Sequence, residues 1–276
     1  MQISRTHFGI LATPAAVLFV LFFILPVSMI LFEAISDTTA FPRVLGDNLF
    51  HRGLLGTLIL GLAAASISVI VGFCVALALS RMKSSSRTML LFMISLPLTF
   101  SGLIVAYGFI LAFGRAGFVT QLLGFLGADP AVVGSFIFSP MGLGFAYSYY
   151  LIPRVVMIMM PAVQNFDKVQ LSVARSLGAG RIRTLWEIMV PQLIPSFVAA
   201  FCLTSAVAMG AYGTALALVG TQMNILPLLL YNKVSEGGTD LPAAAAISLI
   251  LMAICCVVIA LGEIFNNIKG GTGKTR

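Results

Sequence analysis

The sequence predicts an all-α, polytopic membrane protein with six transmembrane helices. Hydrophobic residues make up 59% of the 276 positions and charged residues only 9%, against about 25% charged residues in soluble domains. A chain with so few polar side chains cannot cover a water-facing surface, so lipid must surround most of it. Its long apolar runs do not alternate polar and apolar residues, as the strands of a membrane barrel would.

Six long apolar stretches define the expected helices. A bilayer core of roughly 30 Å needs about 20 helical residues, and six stretches reach that length, the fourth with a lone Arg154 near its end. The first is predicted to be a retained helix, because it exceeds the usual apolar core of a cleaved signal, about 7–15 residues. We expect one transmembrane domain over residues 1–276, with spans at about 8–32, 53–80, 88–113, 138–161, 193–218 and 241–263.

The fifth uncharged run, residues 192–232, is too long for one helix. Its 41 residues would form a helix of roughly 60 Å, about twice the thickness of the bilayer core. The glycines at 210, 213 and 220 and Pro227 favour a turn inside it. Residues 224–231 are then either an interfacial helix or a re-entrant piece that lines a water-filled path.

The distribution of lysine and arginine predicts which side each loop faces. Six spans place both termini on one side, which then carries eleven Lys and Arg residues, whereas the opposite side carries four. The positive-inside rule therefore places both termini and the loop 165–192 in the cytoplasm. The basic residues lie in short breaks between apolar runs rather than on one face, which argues against nucleic-acid binding.

The polar residues within the spans predict no enzyme chemistry. His7 and His51 fall on opposite sides of the membrane, and no carboxylate lies in the middle of a span. Coupling to an ion gradient usually needs buried ionisable groups, so it has little support here. We predict no catalytic residue, no metal site and no cofactor bound by this chain. The four cysteines are expected to be small packing residues: Cys74, Cys202, Cys255 and Cys256.

The last residues, "GGTGKTR" at 270–276, look like the end of a phosphate-binding loop. Such a loop needs a glycine five residues before its Gly-Lys-Thr, and that position is Ile268. It also needs a following helix whose first amides hold the phosphate. We therefore predict a flexible, basic cytoplasmic end that does not bind nucleotide.

The loop between spans four and five has a pattern of its own. Asp167 is a candidate helix N-cap, and an amphipathic segment follows it. Gly178 is typical of a helix end, and a second short helix over 181–190 is expected before a turn at Pro191. An apolar stripe with basic neighbours suits a groove on a partner protein. It equally suits a hairpin that lies on the bilayer surface.

At this loop the sequence resembles a known family. The stretch "LSVARSLGAGRIRTLWEIMVPQLIP", residues 171–195, is similar to the coupling loop in permease subunits of type I ATP-binding-cassette importers. The preceding "YYLIPRVVMIMMPAVQNFDK" also resembles that family. Ser172 and Val173 depart from the family pattern, which usually has Glu and Ala there. The matching positions are Ala174, Leu177, Gly178, Ala179, Ile188 and Pro191.

The resemblance implies a permease subunit in the lipid of a bacterial cytoplasmic (inner) membrane, with no enzyme activity of its own. It implies a second permease subunit, identical or homologous, and an extracytoplasmic solute-binding protein. Two cytoplasmic ATPase subunits would bind ATP and Mg. The residues that would couple to them are Leu171, Ser172, Val173, Ala174, Arg175, Leu177, Gly178, Ala179, Ile188 and Pro191. The expected docking face within this set is Leu171, Val173, Ala174 and Leu177.

The residues before the last span narrow the solute only to a group of compounds. The stretch "NILPLLLYNKVSEGGTDLPAAAAISLIL", residues 224–251, resembles the branch that handles polyamines, phosphonates, ferric iron and thiamine. We expect a small polar organic cation or zwitterion, such as a polyamine or an aminophosphonate. An ion-gradient-driven secondary transporter and a non-transport membrane scaffold remain the alternatives.

Aromatic and hydroxyl side chains within the spans are candidates for lining a solute path. The rings would suit an ammonium group by cation–π contact, although tyrosines are also ordinary packing residues in membranes. The candidates for the path are Tyr107, Tyr147, Thr204, Ser205 and Tyr212, with Ser148, Tyr149 and Tyr150 as further members of the set.

Overall fold

The computed structural model describes residues 13–235 and 240–271. Within these ranges the chain folds into helices joined by short turns, with no strand, which confirms the all-α class. In chain order the helices are α1 (Thr13–Ser36), α2 (Ala40–Gly46), α3 (Asn48–Ser80), α4 (Ser84–Ser95), α5 (Gly102–Phe113), α6 (Phe118–Phe125), α7 (Pro130–Ser135), α8 (Pro140–Gln164), α9 (Lys168–Ser176), α10 (Ile182–Met209), α11 (Tyr212–Val219), α12 (Leu226–Ser235) and α13 (Leu241–Gly271).

Six of the helical segments in these ranges are long and apolar enough to cross a membrane, as predicted. They are α1, α3, α5 together with α6, α8, α10 and the greater part of α13. The start of the first predicted span, residues 8–12, and most of the "GGTGKTR" end, residues 272–276, lie outside the described residues. The prediction that this end binds no nucleotide therefore stays a prediction.

The centre of the bundle is formed by α3, α8 and α10, which pack against one another. Glycines set how closely these helices approach. A Cβ atom at Gly72 of α3 would lie 2.6 Å from Cγ1 of Val155 on α8, and one at Gly61 would lie 2.7 Å from Cγ of Met209 on α10. Both distances are too short for a side chain, so the two glycines allow a contact that alanine would prevent.

One buried hydroxyl joins α3 to the beginning of α12. Thr57 Oγ1 donates a hydrogen bond to the Gly53 carbonyl at 2.8 Å and accepts one from the Leu226 amide, also at 2.8 Å. Because the first amides of a helix have no partner inside the helix, this bond satisfies a buried donor that would otherwise be unpaired.

The third span differs from the single helix expected over 88–113. The chain forms α4 and a 3-10 turn at Leu96–Thr99, and then breaks at Phe100 and Ser101 before α5 begins. Pro97 lacks an amide hydrogen and therefore cannot continue the helical hydrogen bonds. Ser101 restarts the helix, because its Oγ accepts a hydrogen bond from the Ile104 amide at 3.4 Å.

The fifth span also differs from the expected 193–218, since α10 begins at Ile182 and ends at Met209. The chain then turns at Gly210 and Ala211 into α11, and the segment Tyr212–Gln222 is bent by 73° from α12. The expected turn at Pro191 is absent from α10. A π-helical turn at Leu185–Met189 precedes that proline, and this wider turn accommodates the proline within a continuous helix.

Candidate functional site

The beginning of the loop helix α9 follows the sequence prediction. Asp167 caps it, because its Oδ1 accepts a hydrogen bond from the Val169 amide at 2.9 Å. A second hydrogen bond, from Gln192 Nε2 to Gln170 Oε1 at 2.5 Å, connects α9 to α10. The predicted loop 165–192 therefore divides into a short capped helix and the first turns of a long membrane span.

The end of α9 requires a glycine. The Gly178 amide donates to the Arg175 carbonyl at 2.9 Å, and the Ala179 amide donates to the Ala174 carbonyl at 3.0 Å. This pair of bonds is a Schellman motif, in which the residue after the helix adopts a left-handed conformation. Gly178 does so with φ of +86°, which explains why glycine stands at this position.

The expected docking face of α9 is divided between two sides of the helix. Leu171 packs against the buried cluster at this end of the bundle and Ala174 is only 8% exposed. Val173 and Leu177 point away from the protein, and Leu177 is 83% exposed. Val169, also exposed, adds a third member at helical spacing. Tertiary packing thus removes Leu171 and Ala174 from the predicted face and leaves an outer stripe of Val169, Val173 and Leu177.

The first turns of α10 follow this stripe in the sequence. They expose two further large apolar residues, Ile182 and Trp186. In the same turns Arg183 Nε donates to the Glu187 carboxylate at 2.9 Å, in an exposed ion pair. Ile188 is half-buried against the cluster that holds Leu171, and Pro191 is exposed within α10. We call Val169, Val173, Leu177, Ile182 and Trp186 the outer apolar set.

A second candidate site lies where the two helix breaks meet inside the bundle. The Thr214 hydroxyl of α11 donates to the Gly102 carbonyl at the start of α5, at 3.0 Å. Beside this contact is a cavity of about 310 Å³. Its lining includes Phe100 and Gly102 from the first break, Gly210 and Ala211 from the second, and Tyr150 and Arg154 from α8.

Arg154 is the feature that sequence reasoning misplaced. It was expected near a helix end, yet α8 continues from Pro140 through it to Gln164. It therefore lies inside a membrane span and lines the cavity. The spans thus contain an ionisable group, contrary to the expectation used against coupling to an ion gradient. None of the ion pairs in the described part of the chain includes Arg154.

The family of the chain follows from comparison with known proteins. Residues 68–267 match the family model described as the binding-protein-dependent transport system inner membrane component. The chain belongs to this family. It is therefore a multi-pass permease subunit of an ATP-binding-cassette importer in the inner membrane, as the coupling-loop resemblance predicts.

Curated relatives and a solved structure agree with this assignment. The sulfate transport system permease protein CysW of Synechocystis sp. is 25% identical, over 91% of this chain and 90% of its own length. The spermidine/putrescine transport system permease protein PotB of Escherichia coli is 27% identical, over 75% of each chain. A chain in the crystal structure of a bacterial alginate ABC transporter, bound to a periplasmic protein with alginate pentasaccharide, has a similar fold, with a TM-score of 0.73 and 16% identity over 92% of each chain.

The residues predicted to line the solute path of this permease lie outside the cavity at the helix breaks. Tyr147 is buried and donates its hydroxyl to the Ala211 carbonyl at 2.8 Å. Thr204 and Ser205 are fully buried, and Thr204 bonds to the Ala200 carbonyl of its own helix at 2.6 Å. None of the predicted five lines the cavity at the breaks: Tyr107, Tyr147, Thr204, Ser205 and Tyr212.

Two signals in the sequence could have located this cavity. An arginine with apolar residues on both sides marks either a helix end or a charge inside a span, and the fourth stretch is long enough for the second reading. Pro97 and Gly210 each interrupt an uncharged run, where a broken helix is as consistent as a loop. Tyr150, among the broader set of candidates, does line the cavity.

Proposed function

We propose that this permease forms part of the solute path of an ATP-driven importer, and that a separate ATPase drives it through α9 and the start of α10. Family membership supports the general role. The specific support is the outer apolar set, in which three apolar residues of a short, well-capped helix face away from the protein. An apolar stripe of that kind is the usual docking element of an amphipathic helix in a groove.

The surroundings of the stripe favour a protein groove over the bilayer surface. Ile182 and Trp186 are four residues apart and share one exposed stripe, and the exposed Arg183–Glu187 ion pair forms the stripe next to it. Apolar anchors with charged groups at their edge are typical of the rim of a protein–protein interface.

The proposed assembly contains a second permease subunit, identical or homologous, and a solute-binding protein outside the cell. Two ATPase subunits, which carry ATP and Mg, would contact α9, and this chain would bind no cofactor. Lysine and arginine counts support an orientation with both termini in the cytoplasm. The apolar side chains exposed along α1 would contact lipid or a neighbouring subunit.

The docking role is tested by placing a charge in the outer apolar set. In the complete transporter, Leu177→Asp should abolish co-purification of the ATPase and ATP-driven uptake, because the carboxylate would have to be buried in an apolar groove. Leu126→Asp is the matched control, since Leu126 is 80% exposed but lies after α6, away from this loop. That variant should assemble and retain the ATPase.

Equal retention of the ATPase by both variants, at equal abundance in the membrane, would refute the docking role. If the ATPase stays bound but uptake continues after ATP depletion and stops when the ion gradient is dissipated, the secondary-transporter alternative holds. If the protein supports no uptake in any condition, yet still binds an ATPase, it is a scaffold.

A further inference from the structure

The unpaired charge inside a membrane span is the strongest feature that the proposed function leaves unexplained. A cation within the apolar layer is costly unless it faces water or has a partner of opposite charge. Arg154 lies in the middle of α8 and lines the cavity at the helix breaks. No acidic residue appears among the lining residues of that cavity in the described part of the chain. The charge is therefore left to water in the cavity or to a group of opposite charge that enters it.

The backbone around Arg154 adds to the positive potential. The helices α5 and α11 both begin at the cavity, at Gly102 and Tyr212. The first turn of a helix carries unpaired amide hydrogens and the positive end of the helix dipole. No side chain caps the start of α11, so its amides can be offered to a ligand. The charge on Arg154 and these two helix starts have the same sign. The end of α10 at Met209 also borders the cavity and has the opposite sign, but Arg154 is the one full charge among the described lining residues.

Two carbonyl oxygens at the breaks already accept hydrogen bonds from hydroxyl groups of the protein. The Ala211 carbonyl accepts the Tyr147 hydroxyl at 2.8 Å, and the Gly102 carbonyl accepts the Thr214 hydroxyl at 3.0 Å. Each of these oxygens thus has one of its two acceptor positions filled. The Tyr150 hydroxyl, in contrast, is buried beside Thr214 without a hydrogen bond of normal geometry, and it can donate to a bound group.

From this arrangement we infer that the solute is an anion, and that Arg154 binds it at the two helix breaks during its passage. The inference rests on the proposed function, because it assigns the substrate class of the same solute path. It replaces the expected organic cation, which would meet like charge at Arg154. A small oxyanion or a carboxylate would pair with the guanidinium, often by two parallel hydrogen bonds.

The sign of the potential in the cavity can be measured without knowing the solute. In the complete transporter, with the native cysteines replaced, Gly210→Cys places a thiol in the cavity lining. A Cβ there has its nearest neighbour at 3.7 Å, which is an ordinary van der Waals contact. Its rates of modification by an anionic reagent, 2-sulfonatoethyl methanethiosulfonate, and a cationic one, 2-(trimethylammonium)ethyl methanethiosulfonate, are compared. Leu126→Cys, at an exposed position outside the cavity, provides the reference ratio.

We expect the anion-to-cation rate ratio at position 210 to exceed the reference by about tenfold or more, as attraction by one unit charge within several ångströms would produce. Arg154→Gln should lower the ratio to the reference, Arg154→Lys should preserve it, and Arg115→Gln, at an exposed loop position, should leave it unchanged. If Arg154→Gln fails to assemble, the rate ratios at positions 210 and 126 in the protein with Arg154 intact still show the sign of the potential in the cavity.

Several results would overturn the inference. A ratio at or below the reference would mean that the charge is neutralised, for example by a carboxylate of the second permease subunit. The inference also fails if position 210 reacts with neither reagent, because water then does not reach the cavity. Uptake of spermidine by the complete transporter, undiminished by Arg154→Gln, would also refute it. The thiol modification rates do not depend on ATP-driven uptake. A failure of the proposed ATPase docking, tested by Leu177→Asp, is therefore distinguishable from a failure of this inference.

Discussion

Replacing Gly178 by alanine isolates the contribution of one backbone conformation to coupling. Gly178 adopts φ of +86°, and a Cβ placed there would have no atom within 4 Å. The cost of Gly178→Ala is therefore conformational rather than steric, and a left-handed residue with a side chain costs about 1–2 kcal/mol. A penalty of that size changes the population of the closed turn by roughly 5- to 30-fold. Asparagine, which tolerates this conformation, should cost less.

Hydrogen exchange in the assembled transporter measures this change directly. The Ala179 amide closes the end of α9 by its bond to the Ala174 carbonyl, so its exchange should accelerate by roughly the same 5- to 30-fold in Gly178→Ala. ATP-driven uptake should fall with it. Gly180→Ala is the matched control, because that glycine also has free space around it and does not have a positive φ. Equal exchange rates in the two variants would refute the assigned role of the turn.

Two further predictions concern the stability of the bundle. Thr57→Val should lower the free energy of unfolding by about 1–3 kcal/mol, because the buried Leu226 amide loses its acceptor. Thr204→Val is the control and should lower it less, because the Thr204 hydroxyl bonds only within its own helix. Equal thermal midpoints for the two variants would contradict this prediction. At the opposite end of the bundle from α9, hydrogen bonds from Thr39 and the charge of Arg43 lower the pKa of Asp37. The ionised Asp37 carboxylate therefore stabilises the folded protein above its ordinary pKa, and this stabilisation is lost as the pH falls through the lowered pKa. The difference in thermal midpoint between the wild type and Asp37→Asn should accordingly narrow below about pH 4.

Hydropathy predicted the number of spans because it measures the property that the bilayer selects. It could not locate the breaks, since a run without charges is equally apolar whether its backbone is helical or turned. Pro97 interrupts the third span, whereas Pro191 stands inside the continuous helix α10. Pro153, Pro161 and Pro195 also stand inside continuous helices, so a proline in an apolar run does not by itself mark a break, and the packing around the helix decides the outcome.

The loop helix illustrates a second limit. Periodicity correctly indicated an amphipathic helix with a cap at Asp167, but Leu171, Val173, Ala174 and Leu177 are all apolar. Which of them face outward is decided by the contact of α9 with α10 and the cluster around Leu171. The predicted span 138–161 already contained Arg154, but counting uncharged runs placed this residue near the helix end and gave no reason to expect it beside a cavity.

The structure connects the two candidate sites through one continuous helix. The exposed Ile182 and Trp186 belong to the first turns of α10, and the same helix ends at Met209, next to Gly210 in the cavity lining. Its 28 residues span about 42 Å at 1.5 Å per residue. No loop separates Pro191 from Gly210, so a displacement of the cytoplasmic loop by a bound partner is transmitted through helix. The part of the break that surrounds Arg154 must therefore move with the loop, or α10 must bend at its π-helical turn or at Pro195, which lacks an amide hydrogen.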